Sequence, residues 1–253
     1  MIGISKLYMG QVEASDPLRY GRHSAKLPSH LLQFSADKKP VVVWNVTSAC
    51  NLACTHCYAA TKGTPDELDT SEALALIDDL ADFGCPVLLF SGGEPFMRPG
   101  ILDLAHHAVS KGLRVVFSTN GTLIDDALTE QIKEIGVSYV GISIDGSEAT
   151  HDRFRASPGA YRRSLAGIRA CREAGIKVGL RVTMTRDNIA DIPAIFDLME
   201  AEHIPRICLY HLVYCGRGAD ITSRDLTPEQ RRATLDLIID RTAQLHANGF
   251  PAE

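Results

Sequence analysis

The sequence has no excess of basic residues, no long apolar run and no export signal. Lys and Arg number 26 against 31 Asp and Glu, so the net charge is −5, whereas general nucleic-acid-binding proteins are usually basic. No apolar run approaches the roughly 18 residues that a membrane-spanning helix needs. Residues 1–16 lack the apolar stretch of a signal peptide. We therefore expect a cytoplasmic protein that binds neither nucleic acid nor a membrane.

The cysteines do not suit a disulfide framework. There are seven of them, an odd number, and disulfides are rare in proteins that are not exported. Three cluster in the stretch ACNLACTHCYA, at Cys50, Cys54 and Cys57. The others are scattered, and we predict that they are small buried hydrophobic residues. These scattered cysteines are Cys85, Cys171, Cys208 and Cys215.

From residue 41 onward, apolar runs that predict strands alternate with helical patterns. The predicted strands are 41–47, 87–93, 114–121, 139–146, 177–185 and 206–213. The predicted helices are 71–84, 100–112, 125–136, 160–175, 189–203 and 227–249. Pro193 suits the first turn of its helix, and Thr227 suits the cap of the last one. The irregular residues 1–40 form an N-terminal extension, and residues 41–253 form the folded domain.

Six strand–helix units with apolar strands predict an α/β fold in which helices cover a parallel sheet. Right-handed crossovers would wind the units into an open barrel or a doubly wound sheet, and periodicity alone does not separate the two. In either fold the site lies at the carboxyl ends of the strands. Polar and glycine-rich motifs follow the strands at this rim. They are ACNLACTHCYA (49–59, the cysteine loop), SGGEP (91–95), STNG (118–121), SIDG (143–146) and YHLVYCGRG (210–218).

The spacing Cys-x₃-Cys-x₂-Cys supplies three thiols, whereas structural zinc takes four ligands. His56 is a poor fourth ligand because it directly precedes Cys57, and no second Cys-x₂-Cys pair follows. A [4Fe–4S] cluster normally binds four thiolates. With three, one iron stays open to an external amine and carboxylate. An iron–sulfur cluster is therefore favoured, with a non-catalytic zinc-binding module as the alternative from another class.

The motifs CNLACTHC (50–57) and GGEP (92–95) resemble the two signatures of the radical S-adenosylmethionine (SAM) superfamily. The similarity spans residues 41 to about 215. It implies a partial (β/α)₆ barrel and so favours the barrel over the doubly wound sheet. It also implies that Cys50, Cys54 and Cys57 hold a [4Fe–4S] cluster whose fourth iron binds SAM. Members of the superfamily cleave SAM to a 5′-deoxyadenosyl radical that abstracts hydrogen.

The resemblance further implies contacts to SAM. The glycines and glutamate of GGEP would meet its amino group, and the Arg155 guanidinium would pair with its carboxylate. The backbone of His56 would meet adenine, and the end of the last strand would pack on the same ring. The implied contacts are His56, Gly92, Gly93, Glu94, Ser118, Asn120, Ser143, Arg155, Leu209 and His211.

Several of these residues have simpler interpretations. Ser118 and Ser143 are also typical of residues that end a strand without a role in binding. Asn120 with Gly121 is a common turn pair, and Arg155 could join a surface ion pair. Asp145 is equally suited to a turn and to the site. His106, His107 and His151 are expected on the surface, without a role.

The lead segment is similar to radical SAM enzymes of the alternative haem pathway and of haem d₁ synthesis. This similarity implies an iron tetrapyrrole substrate, 12,18-didecarboxysiroheme, which loses acetate side chains to give iron-coproporphyrin III. Replacement of propionates by oxo groups in haem d₁ biosynthesis is the near alternative, and peptide maturation by a radical SAM enzyme is another. An electron donor is also required, and the sequence does not identify it.

Residues 1–40 carry six basic and three acidic residues. This positive segment suits a tetrapyrrole with carboxylates, and Arg19, Arg22 and Lys26 are the candidate contacts; a merely solvated arm is the alternative. Relatives of this kind have a cysteine-rich C-terminal extension for an auxiliary iron–sulfur cluster. No cysteine follows Cys215. We therefore expect that this extension, and any second cluster in it, is missing from the chain.

Overall fold

The structure is a computed structural model that describes residues 39–60 and 66–253. Arg19, Arg22 and Lys26, the candidate substrate contacts, lie outside the described residues. Within the described part, six parallel strands form one sheet in the order β1 to β6. The strands are β1 Val42–Asn45, β2 Val87–Ser91, β3 Arg114–Thr119, β4 Tyr139–Ser143, β5 Val178–Met184 and β6 Arg206–His211.

The strand order decides between the two predicted folds. Each strand pairs with its neighbours along the chain, from Val42 opposite Leu88 to Met184 opposite His211. A doubly wound sheet reverses its order at a switch point, and this sheet does not. The prediction of a partial (β/α)₆ barrel is therefore confirmed.

Helices follow the strands as the periodicity predicts. They are α1 Thr70–Phe83, α2 Ile101–Ser110, α3 Asp126–Ile135, α4 Glu148–Arg155, α5 Ala160–Glu173, α6 Ile192–Ala201 and α7 Pro228–Ala247. Side chains cap several of them: Asp69 and Glu72 form a capping box at α1, and Thr227 and Gln230 form one at α7. Such caps satisfy the free N–H groups of a first turn. Within the described residues, no helix is both long and apolar enough to cross a membrane.

Two differences from the predicted elements concern helices. Helix α4 was not predicted, because its sequence EATHDRFR is polar and only eight residues long. The predicted helix 189–203 begins instead as a 3₁₀ turn, Ile189–Asp191, and continues as α6 with Pro193 in its first turn. The proline prediction is thus confirmed, since a first-turn proline loses no helical hydrogen bond.

The strands present two chemically different faces, because successive side chains point to opposite sides of a sheet. Toward the helices, the strands contribute to one apolar core with side chains such as Val115, Phe117 and Leu180, which are fully buried. The alternate residues face away from the helices, into the interior of the half-barrel. They include Ser118 of β3, Tyr139, Gly141 and Ser143 of β4, Gly179 and Arg181 of β5, and Cys208 and Tyr210 of β6.

The prediction for the scattered cysteines is partly wrong. Cys85 and Cys171 are buried in the core as predicted. Cys208 is half-buried, because it faces the interior of the half-barrel rather than the helices. Cys215 is exposed, because it lies in the loop that leaves β6 at the rim.

Candidate functional site

The cysteine loop begins at the end of β1, where Glu67 holds it. The Glu67 carboxylate accepts hydrogen bonds from the Ser48 amide at 2.7 Å, the Ser48 hydroxyl at 2.8 Å and the Thr47 hydroxyl at 3.1 Å. These bonds lower the pKa of Glu67 although burial opposes them. The start of the loop is therefore fixed before the first cysteine.

The GGEP motif packs backbone to backbone against the same loop. The Gly93 and Glu94 amides donate to the Thr47 and Ala49 carbonyls at 2.7 and 2.8 Å. A Cβ on Gly93 would lie 2.3 Å from the Ala49 oxygen, far inside van der Waals contact. Gly92 has φ +137°, and a Cβ there would lie 2.5 Å from the Thr47 oxygen. Only glycine allows this approach of the two chain segments.

Glu94 is fully buried and joins the rim of β2 to that of β3. Its carboxylate accepts hydrogen bonds from the Thr119 hydroxyl at 2.7 Å and the Asn120 amide at 2.8 Å. The Phe96 amide donates to it at 3.3 Å. Burial raises the pKa of this carboxyl, and the hydrogen bonds only partly offset the increase. The contact with the SAM amino group stays a prediction.

Asn120 links the rim of β3 to the cysteine loop. Asn120 Nδ2 donates to Asn51 Oδ1 at 2.8 Å, and Asn51 Nδ2 donates to the Thr122 hydroxyl at 2.8 Å. Asn51 and Thr122 were not predicted as site residues from the sequence, although Asn51 directly follows the first cysteine. Their polar side chains beside the motif were the only signal.

The structure brings Arg155 and Asp145 together beneath the cysteine loop. Arg155 Nη2 lies 2.5 Å from Asp145 Oδ2, and Arg155 Nη1 donates to Cys54 Sγ at 3.5 Å. Both side chains are buried, with Asp145 0% exposed. Arg155 therefore joins a buried ion pair, and the alternative of a surface ion pair is wrong. Helix α4 delivers Arg155 to this position from its last turn.

The charges of this pair are firmly held. Burial alone would raise the pKa of the Asp145 carboxyl, but the adjacent Arg155 guanidinium is the main influence that outweighs burial and lowers it. Burial opposes the charge of Arg155, yet Asp145 and Cys54 raise the pKa of its guanidinium further. The Thr183 amide also donates to Asp145 Oδ1 at 3.1 Å. The permanently charged Arg155 guanidinium therefore lies beside Cys54, the second cysteine of the loop.

Two histidines near this pair are buried and neutral. The expectation that His151 is a surface residue is wrong: it is 1% exposed, because α4 turns it inward to accept a 3.1 Å hydrogen bond from the Asp145 amide. Burial, followed by Arg155, lowers the pKa of His151 to about 4. Burial also lowers the pKa of His56 to about 4, with Arg155 and Arg217 adding to the decrease while Asp145 opposes it.

The other two histidines that were expected on the surface differ from His151. His106 is exposed, as expected. His107 is half-buried on α2, where its Nε2 lies 2.8 Å from Asp78 Oδ1.

The loop after β6 closes over the cysteine loop from the other side. Arg217 donates from Nε to the Cys54 carbonyl at 2.7 Å and from its amide to the Cys57 carbonyl at 3.0 Å. A Cβ on Gly216 would lie 2.5 Å from the Cys57 oxygen, so only glycine permits this contact. Sequence reasoning placed this loop at the rim but missed Arg217. The cysteine loop is therefore bound by the loops that follow β2, β3 and β6 and by α4.

The residues of the loop suit an iron–sulfur cluster. Cys50 is exposed, Cys57 half-buried and Cys54 buried, and all three thiols are free. Arg155 and Arg217 supply positive charge beside them, which suits an anionic group. His56 Nδ1 is buried without a hydrogen-bond partner in the described structure. In residues 39–60 and 66–253, no three Cys, His, Asp or Glu side chains lie close enough together to bind one metal ion. A cubane does not require this, because each of its thiolates binds a different iron.

The remaining predicted SAM contacts lie at the ends of three strands. Ser118 and Ser143 are half-buried on the interior face of β3 and β4. Leu209 of β6 packs instead against the apolar core on the helix-covered side. His211 is exposed at the end of the same strand. The contacts of these four residues with ribose, carboxylate or adenine stay predictions.

Comparison with known proteins identifies the class of protein. The sequence profile of the radical SAM superfamily matches residues 44–199. More than half of the chain is covered, and the profile includes both the cysteine loop and GGEP. The chain belongs to the radical SAM superfamily.

Curated relatives indicate which members of the superfamily this chain is similar to. Fe-coproporphyrin III synthase of Methanosarcina barkeri is 61% identical over 255 residues, which cover 100% of this chain and 64% of the relative. Pre-heme d1 synthase of Dinoroseobacter shibae is 41% identical and covers 85% of this chain and 54% of its own length. The chain spans between half and two thirds of the length of these curated relatives.

Solved structures agree on the fold. Streptococcus suis SuiB bound to the precursor peptide SuiA superposes with a TM-score of 0.72 over 93% of this chain and 53% of its own. The anSMEcpe enzyme with bound AdoMet gives 0.70 over 83% and 62%. Both are 17% identical to this chain, so the likeness shows the fold alone.

Proposed function

We propose that this protein is a radical SAM enzyme of haem biosynthesis that removes acetate side chains from 12,18-didecarboxysiroheme to give iron-coproporphyrin III. The observation that carries the proposal is the 61% identity to Fe-coproporphyrin III synthase over the whole chain. The haem d₁ reaction is less well supported, because identity to pre-heme d1 synthase is 41%. A peptide substrate is less well supported again, because identity to PqqA peptide cyclase of Gluconobacter oxydans is 32% and to mycofactocin maturase of Mycobacterium tuberculosis 31%.

Cys50, Cys54 and Cys57 would hold a [4Fe–4S] cluster, with its fourth iron left for SAM. When bound, the cluster and SAM supply a 5′-deoxyadenosyl radical, for which an external donor provides the electron. Arg155 and Arg217 would offset the negative charge of the thiolates and their cluster. Because His56 and His151 are neutral at neutral pH, these two arginines carry the fixed positive charge next to the loop.

The rim residues would position SAM. Gly92, Gly93 and Glu94 would meet its amino group, and Asn120 with the interior serines of β3 and β4 would meet ribose and carboxylate. The Arg155 guanidinium is already engaged by Asp145 at 2.5 Å, so a contact with the SAM carboxylate would have to share it. The four cysteines outside the loop are scattered over the described structure, and a second iron–sulfur cluster stays a prediction.

The test is mass spectrometry of the tetrapyrrole after anaerobic incubation of the intact protein with SAM, a reductant and 12,18-didecarboxysiroheme. We expect a product that has lost two acetate groups, formed together with 5′-deoxyadenosine. The Cys54→Ala variant is the control and should leave the tetrapyrrole unchanged. Oxo groups in place of propionates would assign the protein to the haem d₁ reaction. An unaltered tetrapyrrole with active SAM cleavage would contradict both tetrapyrrole assignments.

A further inference from the structure

The interior of the half-barrel contains a cation for which the described structure provides no acidic partner. Arg181 of β5 faces this interior, because its neighbours Leu180 and Val182 are fully buried on the helix-covered side. Its Nη1 donates to the Tyr210 hydroxyl at 2.7 Å. Within residues 39–60 and 66–253, no carboxylate lies within ion-pair distance of Arg181, and its Nε has no hydrogen-bond partner.

Two glycines make room for large polar side chains in this interior. A Cβ on Gly141 of β4 would lie 2.1 Å from Arg181 Nε, so the arginine in this position crosses the neighbouring strand where glycine leaves room for it. In the same way, a Cβ on Gly179 would lie 2.1 Å from the Tyr139 hydroxyl. Gly141 is opposite Ser118 of β3 in the sheet register. Arg181 therefore reaches toward the strand whose end is predicted to contact SAM.

The groups around Arg181 can donate hydrogen bonds but offer no negative charge. Burial raises the pKa of both Tyr139 and Tyr210 to about 12, so both phenols stay protonated at neutral pH. The Tyr139 hydroxyl is buried without a partner in the described structure. Glu253, an acid near Tyr139, pairs with Arg206, whose guanidinium lies 5.3 Å from the Tyr139 ring centre. A half-buried guanidinium flanked by phenol donors suits a carboxylate ligand.

We propose that Arg181, with Tyr210 beside it, binds a carboxylate side chain of the tetrapyrrole substrate inside the half-barrel. This inference rests on the proposed function, since it takes the substrate to be a tetrapyrrole with carboxylates. The substrate is favoured over SAM as the source of the carboxylate. The SAM carboxylate already has a predicted partner in Arg155, which lies beside Cys54, whereas no other residue of the half-barrel interior is assigned to a substrate carboxylate.

The test measures the affinity of the anaerobically reconstituted protein for iron-coproporphyrin III and for its tetramethyl ester, by titration of the porphyrin absorption. The wild-type protein should bind the free acid more tightly than the ester. Arg181→Met should weaken binding of the acid by roughly 10–100-fold, as expected for a lost charge-assisted hydrogen bond, with little effect on the ester. Tyr210→Phe should give a smaller loss of the same kind.

The matched control is Arg232→Met, which removes the same charge from an exposed residue of α7 and should leave both affinities unchanged. Arg181→Lys keeps the charge and guards against a folding defect, so it should retain part of the preference for the acid. An unchanged ratio of acid to ester affinity in Arg181→Met overturns the inference while leaving the proposed function intact. Weakened SAM binding with unchanged porphyrin binding also overturns it. A wild-type protein that binds neither porphyrin contradicts the proposed function as well.

Discussion

The two faces of the six-stranded sheet are made of alternate residues from the same strands, yet they differ in chemistry. Toward the helices, side chains such as Phe117, Ile142 and Val182 are fully buried and apolar. Toward the interior, the adjacent positions of β4 and β5 carry small or polar residues such as Ser143 and Arg181. Strands buried between two layers of helices read as continuous apolar runs. The polar alternation marks one face as the wall of a binding site.

The comparison separates the residues that build the fold from those that build the site. On the helix-covered face, stability comes from the burial of apolar area, about 25 cal/mol per Å², and a similar side chain can replace another. On the interior face and at the rim, several side chains have a specific partner, as Arg181 has Tyr210 and Arg155 has Asp145. Changes there should therefore affect ligand binding more than changes of similar size on the other face.

The largest contrast is expected between two buried cysteines. Cys54→Ala removes a thiol of the cysteine loop and should abolish nearly all bound iron and sulfide, because one corner of the cluster loses its ligand. Cys171→Ala removes an equally buried thiol from α5, on the helix-covered side. It should retain the cluster and lower the free energy of unfolding by about 1 kcal/mol. Iron and sulfide analysis of both reconstituted variants measures the difference, and equal cluster contents would contradict it.

A substitution in the buried Asp145–Arg155 ion pair should lower the free energy of unfolding more than a substitution of Ile142, an apolar residue three positions before Asp145. Asp145→Asn keeps the side-chain shape but leaves Arg155 buried without its counterion, so the free energy of unfolding should fall by about 3–5 kcal/mol. Ile142→Val on the helix-covered face should lower it by about 0.5–1.5 kcal/mol. Urea unfolding of both variants at neutral pH provides the values. Similar losses for the two would show that the ion pair is not the main support of the rim.

Two glycines should respond differently to the same methyl group. Gly93→Ala places a Cβ 2.3 Å from the Ala49 oxygen, so the cysteine loop must move, at about 3 kcal/mol of stability and with reduced SAM binding. Gly112→Ala meets nothing within 4 Å but has φ +85°, so only backbone strain of about 1 kcal/mol is expected. Unfolding experiments and a SAM-binding titration are the measurements. Normal SAM binding by Gly93→Ala would show that the close approach is dispensable.

The smallest effect concerns pH. Because the folded-state pKa of His151, about 4, lies below the ordinary value near 6.5, the unfolded chain binds a proton first as the pH falls. The stability from neutral His151 is complete above about pH 6.5 and is lost toward pH 4, by about 2 kcal/mol between pH 7 and pH 5. His151→Gln should remove this part of the pH dependence, and the exposed-site change His106→Gln should keep it. Denaturant unfolding at the two pH values tests both variants.

Local sequence patterns predicted the helix-covered face well. Strand and helix positions agree with the predicted segments to within a few residues, because each element carries its own periodicity and its own caps. Periodicity could not predict the order of the strands in the sheet, since both candidate folds share the same elements. The resemblance to a superfamily supplied that choice, and the strand pairing confirmed it.

The candidate site was predictable only where its residues are adjacent in sequence. The three cysteines and GGEP are short motifs, and both lie at the rim as predicted. The Asp145–Arg155 pair, the contact of Arg217 with Cys54 and the burial of His151 depend on loops that meet only after folding. Helix α4 supplies two of these residues, and its polar sequence resembles a surface loop. The packing partner of such a segment is not encoded in its own pattern.

The most direct measurement concerns the open iron that three cysteines leave to SAM. Anaerobically reconstituted protein is given SAM and a strong reductant, and iron, 5′-deoxyadenosine and methionine are quantified. A three-cysteine cubane predicts about four irons per chain and formation of 5′-deoxyadenosine, which the Cys54→Ala variant should lack. Protein that holds its full complement of iron and sulfide yet leaves SAM intact would contradict the assignment of this loop.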